Sequence, residues 1–169
     1  MKDSKFKYIF LFGAVSLIFG ACLEPASYPP EPVIQFQSLT PDGNAAVLRF
    51  GFTDGDGDVG LNQEDTTGVN CPDTCEYYYN LFLEYYELRD GVWTWIELDP
   101  SDGQVPFYYR IPRVTPSGQN PALNGEIKID MPSYFLFSDY DTAKFQIRMV
   151  DRSLNWSNTE ETDVFIKPD

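Results

Sequence analysis

Ala46-Val47-Leu48-Arg49-Phe50-Gly51-Phe52-Thr53 runs without a break into Asp54-Gly55-Asp56-Gly57-Asp58-Val59-Gly60-Leu61-Asn62. In the first eight residues Ala46, Leu48, Phe50 and Phe52 fall on one face, and Val47, Arg49 and Thr53 on the other. That period of two marks a half-buried β-strand. The strand then ends in three carboxylates on alternate positions, separated only by glycine. Three negative charges so close repel one another unless a cation sits between them, and glycines let the backbone curl until the oxygens converge. Hard oxygen ligands at this spacing suit Ca²⁺, which takes about 6–8 of them. Asp54, Asp56 and Asp58 are therefore candidate Ca²⁺ ligands; a solvated turn is the plainer alternative, since Asp and Gly dominate turns. The loop is not an EF-hand, which wants glycine at position 6 and a bidentate Glu at position 12. Here Val59 and Asp65 occupy those places.

Working outward, the chain reads as short strands divided by turn signals: Val33–Leu39, Ala46–Thr53, Glu76–Leu88, Trp93–Leu98, Val105–Ile111, Glu126–Met131, Lys144–Val150 and Thr162–Lys167. The breakers include Pro41-Asp42-Gly43-Asn44, Asp90-Gly91 and Pro116-Ser117-Gly118. Only Ser133 to Tyr140 hints at a helical turn. Many short strands without a sustained helical period predict an all-β fold, an immunoglobulin-like or fibronectin-like β-sandwich of about seven to eight strands over residues 33–169. In that order Ala46–Thr53 is strand B and Lys144–Val150 is strand F, whose following loops share one end of a sandwich. Asp151 is thereby expected to meet Asp54, Asp56 and Asp58 as a fourth carboxylate, with Asn155 or a backbone carbonyl completing the site. An Asx turn is the competing reading of Asp151 and Asn155.

The N-terminus carries an address. Lys2, Lys5 and Lys7 precede a short apolar stretch, Ile9 to Phe19, and then Gly20-Ala21-Cys22. The stretch is too short for a mature transmembrane helix and reads as a secretory signal. Its end resembles a bacterial lipobox, which implies removal of residues 1–21 and lipidation of Cys22. Residues 22–32 contain four prolines and predict an extended tether.

Of 12 basic and 26 acidic residues, residues 1–21 hold three lysines and Asp3, so the remaining 148 residues carry a net charge of −16. Such a balance strongly disfavours nucleic acid as a partner and disfavours adhesion to anionic headgroups. With Cys22 lipidated, Cys71 and Cys75 are left to form a local disulfide in an oxidising compartment. Half of a zinc site is the alternative, but the chain has no histidine and no second cysteine pair.

The lipobox, the proline-rich tether, Phe52-Thr53-Asp54-Gly55-Asp56-Gly57-Asp58-Val59-Gly60 and Asp151-Arg152-Ser153-Leu154-Asn155-Trp156-Ser157-Asn158 together resemble small outer-membrane lipoproteins of Bacteroidota with an Ig-like, calcium-loop domain. That resemblance implies an Ig-like fold and an outer-membrane address; it brings no activity with it. No charge run after Cys22 fixes the membrane face, and the cell-surface side is favoured.

Aromatic residues are plentiful. Within Glu76–Leu88, Tyr77, Tyr79, Leu81, Leu83 and Tyr85 share one parity and Tyr78, Phe82 and Tyr86 the other, so both faces are partly apolar. Tyr78, Tyr86, Trp93, Trp95 and Tyr108 are candidate interface residues, because Tyr and Trp are enriched at interfaces. Stacking on sugars and ordinary core packing are the other readings. Without histidine, a Gly-x-Ser-x-Gly elbow or a P-loop, catalysis finds little support. Paired carboxylates can hydrolyse glycosides, but every acidic pair here lies in a turn-like setting, and Arg110 and Arg113 read as surface or interface residues. The expectation is a non-catalytic accessory subunit of an outer-membrane complex that serves β-barrel assembly, secretion or uptake. Its partner would be a β-barrel protein or other lipoproteins; the alternative is a surface carbohydrate-binding lipoprotein.

Overall fold

In the computed structural model, residues 27–168 are described, apart from 73, 74, 101, 102 and 118. The segment read above as a secretory signal, and Cys22, lie outside the described residues. Nine strands form: β1 (Val33–Asp42), β2 (Ala45–Asp54), β3 (Leu81–Arg89), β4 (Val92–Trp95), β5 (Phe107–Tyr109), β6 (Leu123–Met131), β7 (Thr142–Met149), β8 (Glu160–Glu161) and β9 (Phe165–Ile166). All pairings are antiparallel. One sheet has the order β1-β2-β6. In the other, β3 and β7 are central; β4 and β5 share the outer edge of β3, and β8 and β9 share that of β7. This is the A-B-E and C-F-G arrangement of an immunoglobulin-like sandwich, with β2 as strand B and β7 as strand F.

The core is the sum of the inward rows. Ala46, Leu48, Phe50 and Phe52 of β2 face Leu81, Leu83 and Tyr85 of β3 and Ala143, Phe145, Ile147 and Met149 of β7, all at most 5 % exposed. Phe107 and Phe165 close the sides of this layer around Phe145, with ring centroids 5.0 and 5.7 Å from it. Where the inward row of β3 ends, Glu87 continues it and is fully buried. There it accepts hydrogen bonds from Ser138, Arg89 and Lys167, so the last strand is pinned to the pole opposite the acidic loop.

Two expectations need correction. Glu76 to Asn80 is a turn rather than the start of β3: buried Asn80 bonds both backbone groups of Ile111, and Arg110 donates to the carbonyl of Tyr78. Ser133 to Tyr140 is not helical, because its polar groups bond elsewhere. Tyr134 and Phe135 are buried, the Leu136 amide meets the Tyr85 hydroxyl, and its carbonyl meets Lys167. A 3-10 turn forms at Gly68–Asn70. The residues just before β1 touch the domain: Pro32 is buried, and the Tyr28 hydroxyl accepts from Asn124. The disulfide between Cys71 and Cys75 is formed.

Candidate metal centre

Asp54 is the last residue of β2 and lies in register with its inward row, so the parity that buries Leu48, Phe50 and Phe52 buries this carboxylate too, at 0 % exposure. Asp151 stands two residues beyond Met149 and prolongs the inward row of β7 in the same way, at 3 % exposure. The two opposed sheets thus each end their core-facing row in a carboxylate, and the two carboxylates meet over one pole of the core. Asp56 and Asp58 join them from the loop; one oxygen from each of the four lies within 4.8 Å of the others.

Local backbone geometry builds the cluster. The amides of Gly57 and Asp58 donate to Asp54 Oδ2 at 2.8 and 3.0 Å, wrapping the loop around that oxygen. Gly57 has φ +77°, and a β-carbon there would lie 2.3 Å from the carbonyl oxygen of Pro121, so glycine is required on both counts. Beyond Asp58 the chain is zipped to the segment after β5: Val59 and Leu61 are buried, the Leu61 amide donates to Ile111, and Val114 donates to Val59. Across the pole, Ser153 donates from its amide and hydroxyl to Asp58 Oδ2 at 3.0 and 2.7 Å. Asn155 donates from its amide to Asp151 Oδ1 and from its side chain to Oδ2. Asn155 therefore sits beside the cluster as the residue that orients Asp151, with its side-chain nitrogen rather than its oxygen toward the carboxylate. Asp65 stays outside, held by Asn62 and Arg152.

Two carboxylate oxygens, Asp54 Oδ1 and Asp58 Oδ1, are buried and accept no hydrogen bond from the described residues. An unpaired buried polar atom costs about 1–3 kcal/mol and more when charged, so two in one cluster call for a cation. The electrostatics agree. Burial, together with the charges of Asp56 and Asp58, pushes Asp54 up to about 6 against the pull of its two amide donors. Burial and the Asp58 charge raise Asp56, and burial with the charges of Asp58 and Asp56 raises Asp151 against the Asn155 hydrogen bonds. A site that resists holding its own charge is one that a divalent ion would stabilise.

The five candidate interface residues divide into two groups. Tyr86, Trp93 and Trp95 lie on the outer side of the β3–β4 pair, where Tyr86 donates to Gln146 and Lys144 sits 4.8 Å over Trp93. Tyr78 and Tyr108 lie nearer the acidic pole, in an aromatic arc that also includes Tyr79, Phe82 and Trp156. Phe82 falls on the outer parity already read for this strand, whereas Trp156 was read only as part of the Asp151–Asn158 loop; the register Leu81↔Met149 brings the two side by side. Arg110 is a structural clamp, with bonds to the carbonyls of Tyr78, Asn62 and Asp65.

Comparisons of the chain with protein-family models, with curated proteins and with solved structures return no match.

Proposed function

We propose that this chain is a Ca²⁺-stabilised, lipid-anchored domain of the outer membrane that acts as a non-catalytic accessory subunit of an outer-membrane protein complex. The observation that carries the reading is the four-carboxylate cluster with two unpartnered buried oxygens at the pole where the chain enters the domain. Calcium is the ion of choice on two grounds. The donors are all hard oxygens, and a ligand separation of up to 4.8 Å is about twice the Ca–O distance of roughly 2.3–2.6 Å; Mg²⁺, at about 2.0–2.1 Å, would need a tighter set. Asp54, Asp56, Asp58 and Asp151 would hold the ion, with water completing its shell.

The lipid anchor and the partner rest on the sequence: the lipobox-like Gly20-Ala21-Cys22 supplies the first, and the aromatic outer face of the β3–β4 pair offers a surface for the second. The test is affinity purification of the native protein from membranes, with Cys22→Ala as control. Stoichiometric recovery of a β-barrel protein or lipoprotein with the parent and its loss with the variant support the reading. A protein that returns alone and monomeric defeats it.

A further inference from the structure

The outer face of the β3–β7 sheet carries an open groove of about 900 Å³ that begins beside the acidic pole. Its wall is a continuous arc of rings. Trp156 lies 5.2 Å from Phe82, Phe82 5.0 Å from Tyr108, Tyr108 6.0 Å from Tyr79, and Tyr79 5.0 Å from Tyr78. None of these rings belongs to the core cluster, which is filled by the opposite side of the same sheet. Tyr79 is 38 % exposed, and Val105 at the rim is 79 % exposed. Rings shown to water in a contiguous patch mark a binding surface, and a groove of this size with a few placed polar groups has the make-up of a ligand site.

We infer that this groove binds a neutral polysaccharide chain. Three features select that occupant. The rings offer apolar faces for the C–H faces of sugar rings, and Tyr79, the exposed ring of the arc, adds a hydroxyl for a ligand rich in hydroxyl groups. The polar element of the groove is an Arg148–Glu84 pair at 2.9 Å, with the guanidinium also 4.9 Å from the Trp156 ring. Side by side, a planar donor and a carboxylate acceptor match the paired donor and acceptor of neighbouring sugar hydroxyls. The charge, finally, excludes anionic ligands: Glu76 and Glu84 outnumber Arg148 among the ionisable groups lining the groove, and the chain as a whole carries −14. The inference stands apart from the accessory-subunit reading and uses none of the four clustered carboxylates.

Affinity electrophoresis of the whole chain in detergent through gels containing amylopectin, mannan, xylan or mixed-linkage β-glucan tests it. Retardation by at least one of these neutral polymers is expected, with a loss of at least tenfold in affinity for Tyr79→Ala/Tyr108→Ala. Tyr79 is exposed and Tyr108 half-buried outside the core, so the melting temperature of the variant is measured alongside; Arg148→Met is a second variant should it fall. Phe137→Ala, an exposed ring outside the groove, should bind as the parent does. No retardation of the folded parent by any neutral polymer, retardation by alginate or a proline-rich peptide alone, or binding unchanged in Tyr79→Ala/Tyr108→Ala and Arg148→Met would each overturn the inference. Membrane co-purification is a separate measurement and can fail or succeed independently.

Discussion

The carbonyl oxygen of Tyr28 occupies the space above Gly55: a β-carbon on that glycine would lie 2.2 Å from it, and 2.5 Å from the carbonyl oxygen of Pro29. The acidic loop and the entering chain are therefore in backbone contact, and anything that uncurls the loop removes the seat of the tether. Gly55→Ala is predicted to expel Tyr28 and Pro29 at a cost of about 1–3 kcal/mol, the usual penalty for overpacking. Limited proteolysis should then cut near residue 28 in the variant, and in the parent only after chelation. Equal resistance of parent, variant and chelated protein would show that the contact contributes nothing.

Calcium itself should raise the melting temperature. An ion that binds only the folded state stabilises by about 2.7 kcal/mol at a hundredfold excess over Kd, which for a domain of this size is several degrees. Asp54→Asn preserves an acceptor for the amides of Gly57 and Asp58 but removes the buried charge. Without metal it should melt at or above the parent, because repulsion from Asp56 and Asp58 is relieved; with Ca²⁺ it should gain nothing. A parent whose melting curve ignores both Ca²⁺ and chelator would remove the metal from the account.

The acidic site was legible because strand parity and loop order act together. Alternation in Ala46–Thr53 and Lys144–Val150 assigns strands B and F, and continuing each alternation by one more step lands on Asp54 and Asp151. What misled the reading was the same rule applied too far. Tyr77 and Tyr79 extend the alternation of Leu81, Leu83 and Tyr85, yet Asn80 and Arg110 fold that segment into a turn through contacts some 30 residues distant in sequence, which no local period reveals. Glu160–Glu161 is too short a strand to leave a period at all. Asn155 reads from the sequence as a ligand of the site; in the structure it donates to Asp151, and the direction of those hydrogen bonds is something composition does not encode.

At the opposite pole, Glu87 makes the stability depend on acid. Burial would raise its pKa, but hydrogen bonds from Ser138, Arg89 and Lys167 outweigh that and hold it below its ordinary 4.5. The ionised form is therefore the one that the fold favours. Its contribution is complete above about pH 4.5 and is lost as the pH falls through the depressed folded value. Lys167→Met should leave a buried carboxylate short of a partner and destabilise by about 3–5 kcal/mol at neutral pH. Glu87→Gln should flatten the acid limb of a plot of denaturation midpoint against pH. An acid limb identical to the parent's would assign the acid sensitivity to other carboxylates.

The loop that closes the acidic cluster also delivers Trp156 to the aromatic arc. Asp151 and Asn155 are joined by three hydrogen bonds, Ser153 is held by Asp58, and Leu154 adopts φ +66° to make the turn. On the far side Trp156 pairs with Val150 and packs its ring on Phe82 and Arg148. A cation that tightens the carboxylates must then tighten the position of this ring. In a Trp93→Phe/Trp95→Phe background Trp156 is the sole indole, so its fluorescence reports the loop alone. Calcium titration should shift its emission and reduce quenching by iodide, and Asp151→Asn should abolish both effects. A Ca²⁺-dependent melting temperature with an unresponsive Trp156 would mean that the ion stiffens β2 and its loop without reaching the groove.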